Sequence, residues 1–566
     1  MINNNSKFVL IKRILQYMIL FKSKLWSIIL CLIISIVINF LQPLFIQRIT
    51  DEGMNDKNVN IIVGSALILF ILVLVNQFIE VLQTKIFIDI HNKSEYLLLK
   101  QAFNKLLHIK SRYFEDKNHA EIVNSIQTDV GNVSLITDRF MVLNISYIFK
   151  VISGIAGLLI ISWKLTIVVL IMVPVKYFMV QKLSQLKERK MEDIIESHRD
   201  FSAWFGDNIG GIKEIKLWNL YNQRLTAFEK KQKNIFKNNT DNTMLDTWNG
   251  FLEIMLEWTV TIMLYILGGI LIVNGTLTIG GVFAFLSYSS YVTGPISSIL
   301  NVRYYISRIL PSAKRLFTFL DMDEEDMIGC LGDSTEKIAE NYTIQFQNVS
   351  FGYEGYKEVL TDINFSISQG EKIAIIGQNG SGKTTLLNLI LRFIEPTDGK
   401  INIGENNINS INYHTYRSFF SVVSQETYLF YDTILNNIDL TGYANVDKIQ
   451  EACRQSGAYE FINKLPKKLD SMVGKNGARL SGGEKQKIAV ARAIIKDSPI
   501  VILDEATSGF DVDSDAYMHQ VIIDELKDKS VIMITHRYEN LTGMDKIYQL
   551  KDGKLERVLN LCKSAL

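Results

Sequence analysis

Residues 372–393 read KIAIIGQNGSGKTTLLNLILRF, and the organisation of the whole chain is read outward from this stretch. Lys372 to Ile376 has the composition of a buried strand, GQNGSGKT follows at 377–384, and Leu386, Leu387, Leu389 and Ile390 then recur at helical spacing. Strand, glycine-rich loop and helix, in that order, are what a phosphate-binding loop requires. Gly377, Gly380 and Gly382 let backbone amides turn inward with no Cβ in the way, and the start of the following helix adds its partial positive charge. Lys383 is spaced to reach phosphate oxygens, and the Thr384 hydroxyl to ligate Mg2+.

Two further apolar runs end in polar groups suited to the same chemistry. Ile500–Leu503 reads as a buried strand and stops at Asp504–Glu505. A carboxylate at a strand end beside a phosphate loop is placed to hold Mg2+ through water, which is the role expected of Asp504. Glu505 is placed to orient and deprotonate an attacking water. A third strand, Val531 to Thr535, ends in His536, a position from which a terminal phosphate can be sensed.

The N-terminal part is of another kind. About 20 apolar residues cross a bilayer as a helix, and six stretches qualify, at 25–47, 60–82, 141–161, 164–182, 252–273 and 279–300. Ser162–Trp163–Lys164 joins the third to the fourth as a tight hairpin, and Asn274–Gly275–Thr276 turns the fifth into the sixth. Lys and Arg number eight between residues 84 and 140 and twelve between 182 and 248, while 48–58 holds only Arg48 and Lys57 against three acids. That asymmetry places both termini on the cytoplasmic side. The two long inner segments mix polar and apolar residues at helical spacing, so they are expected to be spans continuing out of the bilayer. The first 24 residues carry five basic groups and no acid, and the apolar run after them continues into Pro43 and Gln47. This is expected to be a retained anchor rather than a cleaved leader. The expected division is a transmembrane domain over 1–322, a linker over 323–340 and a nucleotide-binding domain over 341–566.

Composition agrees with two unlike halves. The 566 residues are 48% hydrophobic yet 21% charged. A net charge of +1 excludes the basic excess of a nucleic-acid binder. Cys31, Cys330, Cys453 and Cys562 lie far apart, with no spacing for a zinc site or a disulfide framework.

LSGGEKQK at 480–487 resembles the signature of ATP-binding cassette (ABC) proteins, a short distance before the Asp504 strand. The rest of the half is similar in order. Tyr353 matches the aromatic that stacks on adenine, Gln425 the glutamine that joins Mg2+ to the membrane domain, Asp511 the acid of the loop between two sites, and His536 the switch histidine. The resemblance implies ATP as ligand for Tyr353, Gly377, Gln378, Asn379, Gly380, Ser381, Gly382, Lys383, Thr384, Thr385 and Gln425. Thr384 and Gln425 would hold Mg2+, with Asp504 acting through water.

In the first half, six spans before a cassette on one chain resemble ABC exporters. Ser111–Asp116 resembles the turn before their first coupling helix, and Gly210–Lys216 the stretch at their second. The fold implied is an all-α six-helix membrane domain with long cytoplasmic extensions, followed by an α/β cassette. The family also implies that Ser481, Gly482, Gly483 and Glu484 bind the γ-phosphate held by an opposing cassette. One chain supplies half of each such site, so a dimer is required. With Glu505 present a homodimer is the simpler form, and a heterodimer is the alternative. ATP binding and hydrolysis would then drive alternating access and export of an amphipathic drug, lipid or peptide across a cell membrane. High Lys, Asn and Ile content points to a bacterial one. Three positions depart from the common pattern: Glu484 stands for glutamine, Lys475–Asn476 for a Glu-Arg pair, and Ser508–Gly509–Phe510 for Ser-Ala-Leu.

Ionisable groups inside spans are costly and usually functional. Glu80, Lys150, Glu253 and Glu257 are candidates for a charged vestibule receiving cargo; the alternative is that these helices have already left the lipid there. Lys150 is a possible partner for one of the acids. Asn39, Gln42, Gln47, Tyr288 and Tyr291 fit either a mildly polar lining or packing between helices. No Cys/His peptidase segment stands at the N-terminus, so coupled leader cleavage is not expected. A soluble ABC motor is disfavoured by the spans, an importer by the fusion of the two halves, and a gated channel or regulator by the presence of Glu505 and His536. A lipid floppase remains an alternative on the same scaffold.

Overall fold

A computed structural model describes residues 4–114, 119–137, 139–325, 341–353, 358–505, 526–536, 541 and 543–558. Two compact units are present, Met1–Leu107 with Asn118–Met322, and His108–Lys117 with Asp323–Leu566.

The first unit is helical. In chain order it contains α1 (Asn4–Ile19), α2 (Lys22–Arg48), α3 (Val59–His108), α4 (His119–Ser134), α5 (Arg139–Ile161), α6 (Trp163–Gly210), α7 (Ile212–Leu217), α8 (Tyr221–Val273), α9 (Ile279–Thr293) and α10 (Ile296–Leu320). At about 1.5 Å per residue, the 50 residues of α3 make a rod about two and a half times as long as a bilayer core requires. The same holds for α6, with 48 residues, and α8, with 53. Beyond the apolar stretches these last two are zipped by ion pairs, Lys187 to Asp246 at 2.5 Å and Lys190 to Asp241 at 3.1 Å. Along the apolar part of α3, Leu67, Phe70, Ile71, Leu74 and Phe78 are exposed. An apolar outer surface is what a lipid solvent selects.

Among the described residues, five helices are long and apolar enough to cross a membrane: Lys22–Asn55, Val59–His108, Leu143–Ile161, Trp163–Lys187 and Tyr221–Val273. The sixth expected span, 279–300, is not one helix, because α9 stops at Thr293 and α10 begins at Ile296. Pro295 has no N–H to give the carbonyl of Tyr291, so the ladder is interrupted. Gly294 (φ −59°, ψ −53°) and Pro295 (φ −71°, ψ −13°) nevertheless stay right-handed, and the chain passes the break without turning back. Lys176, 7% exposed, donates from Nζ to the Thr293 carbonyl at 2.8 Å. A buried ammonium from α6 thus satisfies a carbonyl at the break.

The interior of this unit is built around α9. Its N-terminus is held by Asp51, which accepts from Thr278 Oγ1 at 2.6 Å and from the Gly280 amide at 2.8 Å. Tyr288 is fully buried and donates to the Phe40 carbonyl, while Tyr291 donates to Gln42 Oε1 at 3.2 Å. For Tyr288 the lining expectation is therefore replaced by packing between helices. Gly157 of α5 makes that packing possible, since a Cβ there would lie 2.4 Å from Cε1 and Cζ of Tyr288. Gly157→Ala is expected to cost about 1–3 kcal/mol through overpacking, read as a lowered melting temperature in detergent.

The second unit carries two sheets. The smaller has strand order β2-β1-β4-β5 and is antiparallel: β1 (Ile344–Phe351), β2 (Leu360–Ile367), β4 (Asp398–Ile403) and β5 (Asn406–Asn407). The larger runs β10-β9-β3-β8-β7-β6, from β3 (Lys372–Ile376), β6 (Phe420–Val423), β7 (Ile500–Asp504), β8 (Ser530–Thr535), β9 (Lys546–Lys551) and β10 (Lys554–Arg557). Its β9-β3-β8-β7-β6 portion is parallel. Strands covered on both faces read as continuous apolar runs, and all six residues of β8 are buried. Among the described residues the unit's helices are α11 (Lys383–Ile390), α12 (Tyr413–Ser418), α13 (Ile434–Ile438), α14 (Val446–Gln455), α15 (Tyr459–Lys464) and α16 (Gly482–Lys496). Leu386, Leu389 and Ile390 of α11 pack with Ile373, Ile375, Ile502 and Ile532 in one core.

Candidate functional site

Because β3, β8 and β7 are adjacent and parallel, their C-terminal ends share one edge of the sheet. Ile376 pairs with Thr535, and Asp504 with Ile534. The glycine loop follows the first strand, His536 the second and Glu505 the third, so residues some 120 to 160 positions apart converge. Ligands of open parallel sheets sit at that end.

The loop is shaped by positive φ at Gly380 (80°) and Gly382 (103°), a conformation that favours glycine. Gly377 is required for space, since a Cβ would come 2.7 Å from the Leu550 carbonyl and 2.6 Å from Ser381 Oγ. Lys383 Nζ donates back to the carbonyls of Gly377 (2.8 Å) and Gln378 (3.1 Å), bracing the loop. Ser381 Oγ is buried without a hydrogen-bond partner. A cradle that a Cβ would fill, an unsatisfied hydroxyl, a cation and a helix N-terminus suit a polyphosphate.

Glu505 is the hub of the site. Its Oε2 accepts from Gln425 Nε2 at 2.7 Å; its Oε1 lies 3.4 Å from His536 Nδ1 and 3.9 Å from Lys383 Nζ. The side chain is 10% exposed. Its backbone holds φ +43° and donates to the Ile534 carbonyl at 2.9 Å. Left-handed backbone at a non-glycine residue costs on the order of 1–2 kcal/mol, and such strain gathers at functional positions. Burial, and then the neighbouring charge of Glu505, hold the Asp504 carboxyl above the usual aspartate range, with Lys383 opposing them. Thr384 follows Lys383 in the first turn of α11. An oxygen donor set of Thr384, Gln425 and Asp504 suits a hard divalent cation.

Tyr353 stands edge-on to Phe351, with centroids 5.0 Å apart, and its hydroxyl lies 3.5 Å from Thr385 Oγ1. It joins Lys110, Arg112, Glu395 and Tyr413 around a cavity of about 180 Å3. Residues 108–114 thus belong to the cassette unit. Lys110 pairs with Glu395 at 3.2 Å, and the Glu325 amide donates to the His108 carbonyl at 2.7 Å. Arg417 grips Glu325 with both guanidinium arms, at 2.7 and 2.8 Å. Sequence reading placed a coupling turn at Ser111 but missed Lys110, Glu325 and Arg417, because ion pairs across long separations leave no local pattern.

The signature lies at the start of α16. Ser481 caps the helix, accepting the Glu484 amide at 3.3 Å. Glu484 Oε2 in turn accepts the Ser481 amide at 2.8 Å and the Ser481 hydroxyl at 3.0 Å, a reciprocal capping box. A carboxylate has no proton to give a phosphate, so the geometry makes Glu484 a holder of Ser481. The first-turn amides of Gly482 and Gly483 are the free donors here. Asp511, expected in the loop between sites, lies outside the described residues.

The four intramembrane candidates separate into two groups. Glu80 and Lys150 line one cavity. Glu253 accepts from Asn249 Nδ2 at 2.8 Å, and with Glu257 it lies within electrostatic reach of Lys176. Lys150 sits over the Tyr291 ring, 4.5 Å from its centroid, within electrostatic reach of Glu80 but without a direct ion pair to it.

A phosphate cradle, a strained carboxylate hub and a set of membrane-length apolar helices on one chain define a membrane-embedded nucleotide hydrolase. Residues 25–296 match the family described as the ABC transporter transmembrane region, and residues 360–508 the family described as ABC transporter. A lipid A-core flippase of Pseudomonas fluorescens is 30% identical over 80% of this chain and 75% of its own length. One from Vibrio parahaemolyticus is 28% identical over 96% and 93%. An uncharacterized ABC transporter ATP-binding protein of Bacillus subtilis is 26% identical over 96% and 90%. The chain belongs to the ABC transporter family, as a membrane protein that couples ATP hydrolysis to transport. A bacterial Atm1-family ABC exporter solved with ATP bound shares the fold, with TM-score 0.82 and 19% identity over 95% of each chain.

Proposed function

We propose that two copies of the chain form an exporter that moves an amphipathic substrate out of the cytoplasm by alternating access. The observation that carries the reading is the convergence of Gln425, His536 and Lys383 on Glu505. The flippase relatives support a lipid-like cargo. Six crossings, the sixth composed of α9 and the start of α10, keep the termini and cassette cytoplasmic.

In each site, the loop from Gly377 to Thr385 and the Lys383 ammonium bind the ATP phosphates, and Tyr353 packs on the adenine. Thr384 and Gln425 would hold Mg2+, with Asp504 reaching it through water; when bound, the ion neutralises phosphate charge. Ser481, Gly482 and Gly483 of the second copy close on the γ-phosphate with helix-initial donors. Glu505 takes the proton of the attacking water, and His536 holds the carboxylate in position and contacts the γ-phosphate. Loss of that phosphate removes the contacts joining the two cassettes. The segments at 111–116 and 210–216 pass the movement to the spans. Catalysis is by positioning and charge, with no covalent intermediate.

Asp504 must be ionised to serve. With its pKa raised above 3.8, protonation as pH falls removes that charge earlier than for an ordinary aspartate. Mg2+-dependent ATP binding, followed with a fluorescent nucleotide, is expected to fail on the acid side above that value. Glu505→Gln removes one raising cause and is expected to move the acid limb to lower pH; an unmoved limb contradicts the assignment. The transport reading itself is tested by ATP-dependent movement of labelled lipid in liposomes, and ATP hydrolysis indifferent to every amphiphile offered would refute it.

A further inference from the structure

Three apolar helices of the membrane unit each turn a polar stripe toward one cavity of about 400 Å3. From α3 come Asn76, Glu80, Gln83 and His91, from α2 Ser35 and Asn39, and from α5 Ser146 and Lys150. Within each helix the spacings keep these residues on one face. Leu32, Ile36, Phe87 and Phe149 complete the wall, so the cavity is amphipathic as well as charged.

Glu80 and Lys150 lie within electrostatic reach of each other but form no direct ion pair. Glu80 takes a 3.5 Å contact from Gln77, and Lys150 rests on the Tyr291 ring. Gln83 is only 4% exposed, and its Nε2 has no hydrogen-bond partner. Burying an unsatisfied amide costs about 1–3 kcal/mol, and ionisable groups at membrane depth are retained for function. Packing between helices would have closed the space or paired the charges.

We propose that this cavity binds an amphipathic zwitterion, its anionic group on Lys150 and its cationic group on Glu80. Gln83 donates to the ligand between them, Asn39 and Asn76 supply further hydrogen bonds, and the apolar wall takes the hydrocarbon portion. The zwitterion is carried either by a phospholipid headgroup or by a free small molecule. A purely anionic amphiphile leaves Glu80 facing like charge, and a purely cationic one does the same to Lys150. The site rests on the exporter reading above and gives it a substrate class.

The test uses the full-length dimer in detergent, titrated with dihexanoyl phosphatidylethanolamine, dihexanoyl phosphatidylglycerol and O-phosphoethanolamine. ATPase stimulation and the ligand-induced rise in melting temperature are read together. The ethanolamine lipid is expected to stimulate and the glycerol lipid not. Glu80→Gln and Lys150→Gln are each expected to raise the half-stimulating concentration at least about tenfold. The reversed double variant Glu80→Lys with Lys150→Glu should regain response, which guards against a merely structural loss. Stimulation by O-phosphoethanolamine alone assigns the ligand as a free zwitterion, and a requirement for acyl chains assigns it as lipid. Equal response to both lipids, or titrations indifferent to both single variants while ATP is still hydrolysed, would overturn this site alone. A wild-type protein without ATP hydrolysis would overturn the exporter reading and the site with it.

Discussion

Glu505→Gln lowers steady-state ATP turnover by about 10²–10⁴-fold, the usual contribution of a positioned general base. It also leaves the protein holding unhydrolysed ATP. The substitution is nearly isosteric and keeps an acceptor oxygen for Gln425, which now lies 2.7 Å from Oε2. Binding therefore survives while proton abstraction does not. Radiolabelled nucleotide retained after rapid gel filtration reads the trapped state, and phosphate release reads the turnover. A variant that hydrolyses normally, or that retains no ATP, removes Glu505 from the proposed role.

Lys383→Ala acts one step earlier. The ammonium braces the Gly377 and Gln378 carbonyls and lies 3.9 Å from Glu505. With that group gone, the loop loses its brace and the phosphates lose their cation. Truncating one partner of a buried charged contact costs about 2 kcal/mol or more, so the apparent Kd for ATP rises at least roughly thirtyfold. Equilibrium binding of a fluorescent ATP analogue separates this from the Glu505 variant, in which affinity is kept and turnover lost. Unchanged affinity would mean that the loop holds nucleotide by its amides alone.

Much of this machinery is legible in the chain because each part is a local pattern. Glycine at positions 377, 380 and 382 and apolar runs ending in Asp504 and His536 are chemical signatures at fixed offsets. The sheet order is not local, yet parallel pairing of β3, β8 and β7 is what turns three such endings into one site. Other features depend on partners distant in sequence. The break at Gly294–Pro295 is hidden in an otherwise apolar run, and Lys176, which answers it, reads as one more basic residue. Tyr288 carries the same side chain whether it lines a cavity or fills a core. Only its contact with Phe40 and Gly157 decides for the core. Glu80 with Lys150 and Glu253 with Glu257 look alike by composition, and the helix arrangement separates them. Glu484 reads as a phosphate contact by position, and becomes a cap once its carboxylate is seen to face Ser481.

The central claim is that nucleotide is clamped between the phosphate loop of one copy and the signature of another. One copy carries Asn379→Cys and a differently tagged copy Gly482→Cys, both with Glu505→Gln and with the 4 native cysteines replaced. A Cβ at Gly482 meets nothing within 4 Å, and Asn379 is exposed, so both positions accept a thiol. Oxidation is predicted to give a disulfide between the two tagged chains with ATP and Mg2+ present, and none without nucleotide. A disulfide that forms equally with and without ATP, or none at all in protein shown to bind ATP, would contradict the account.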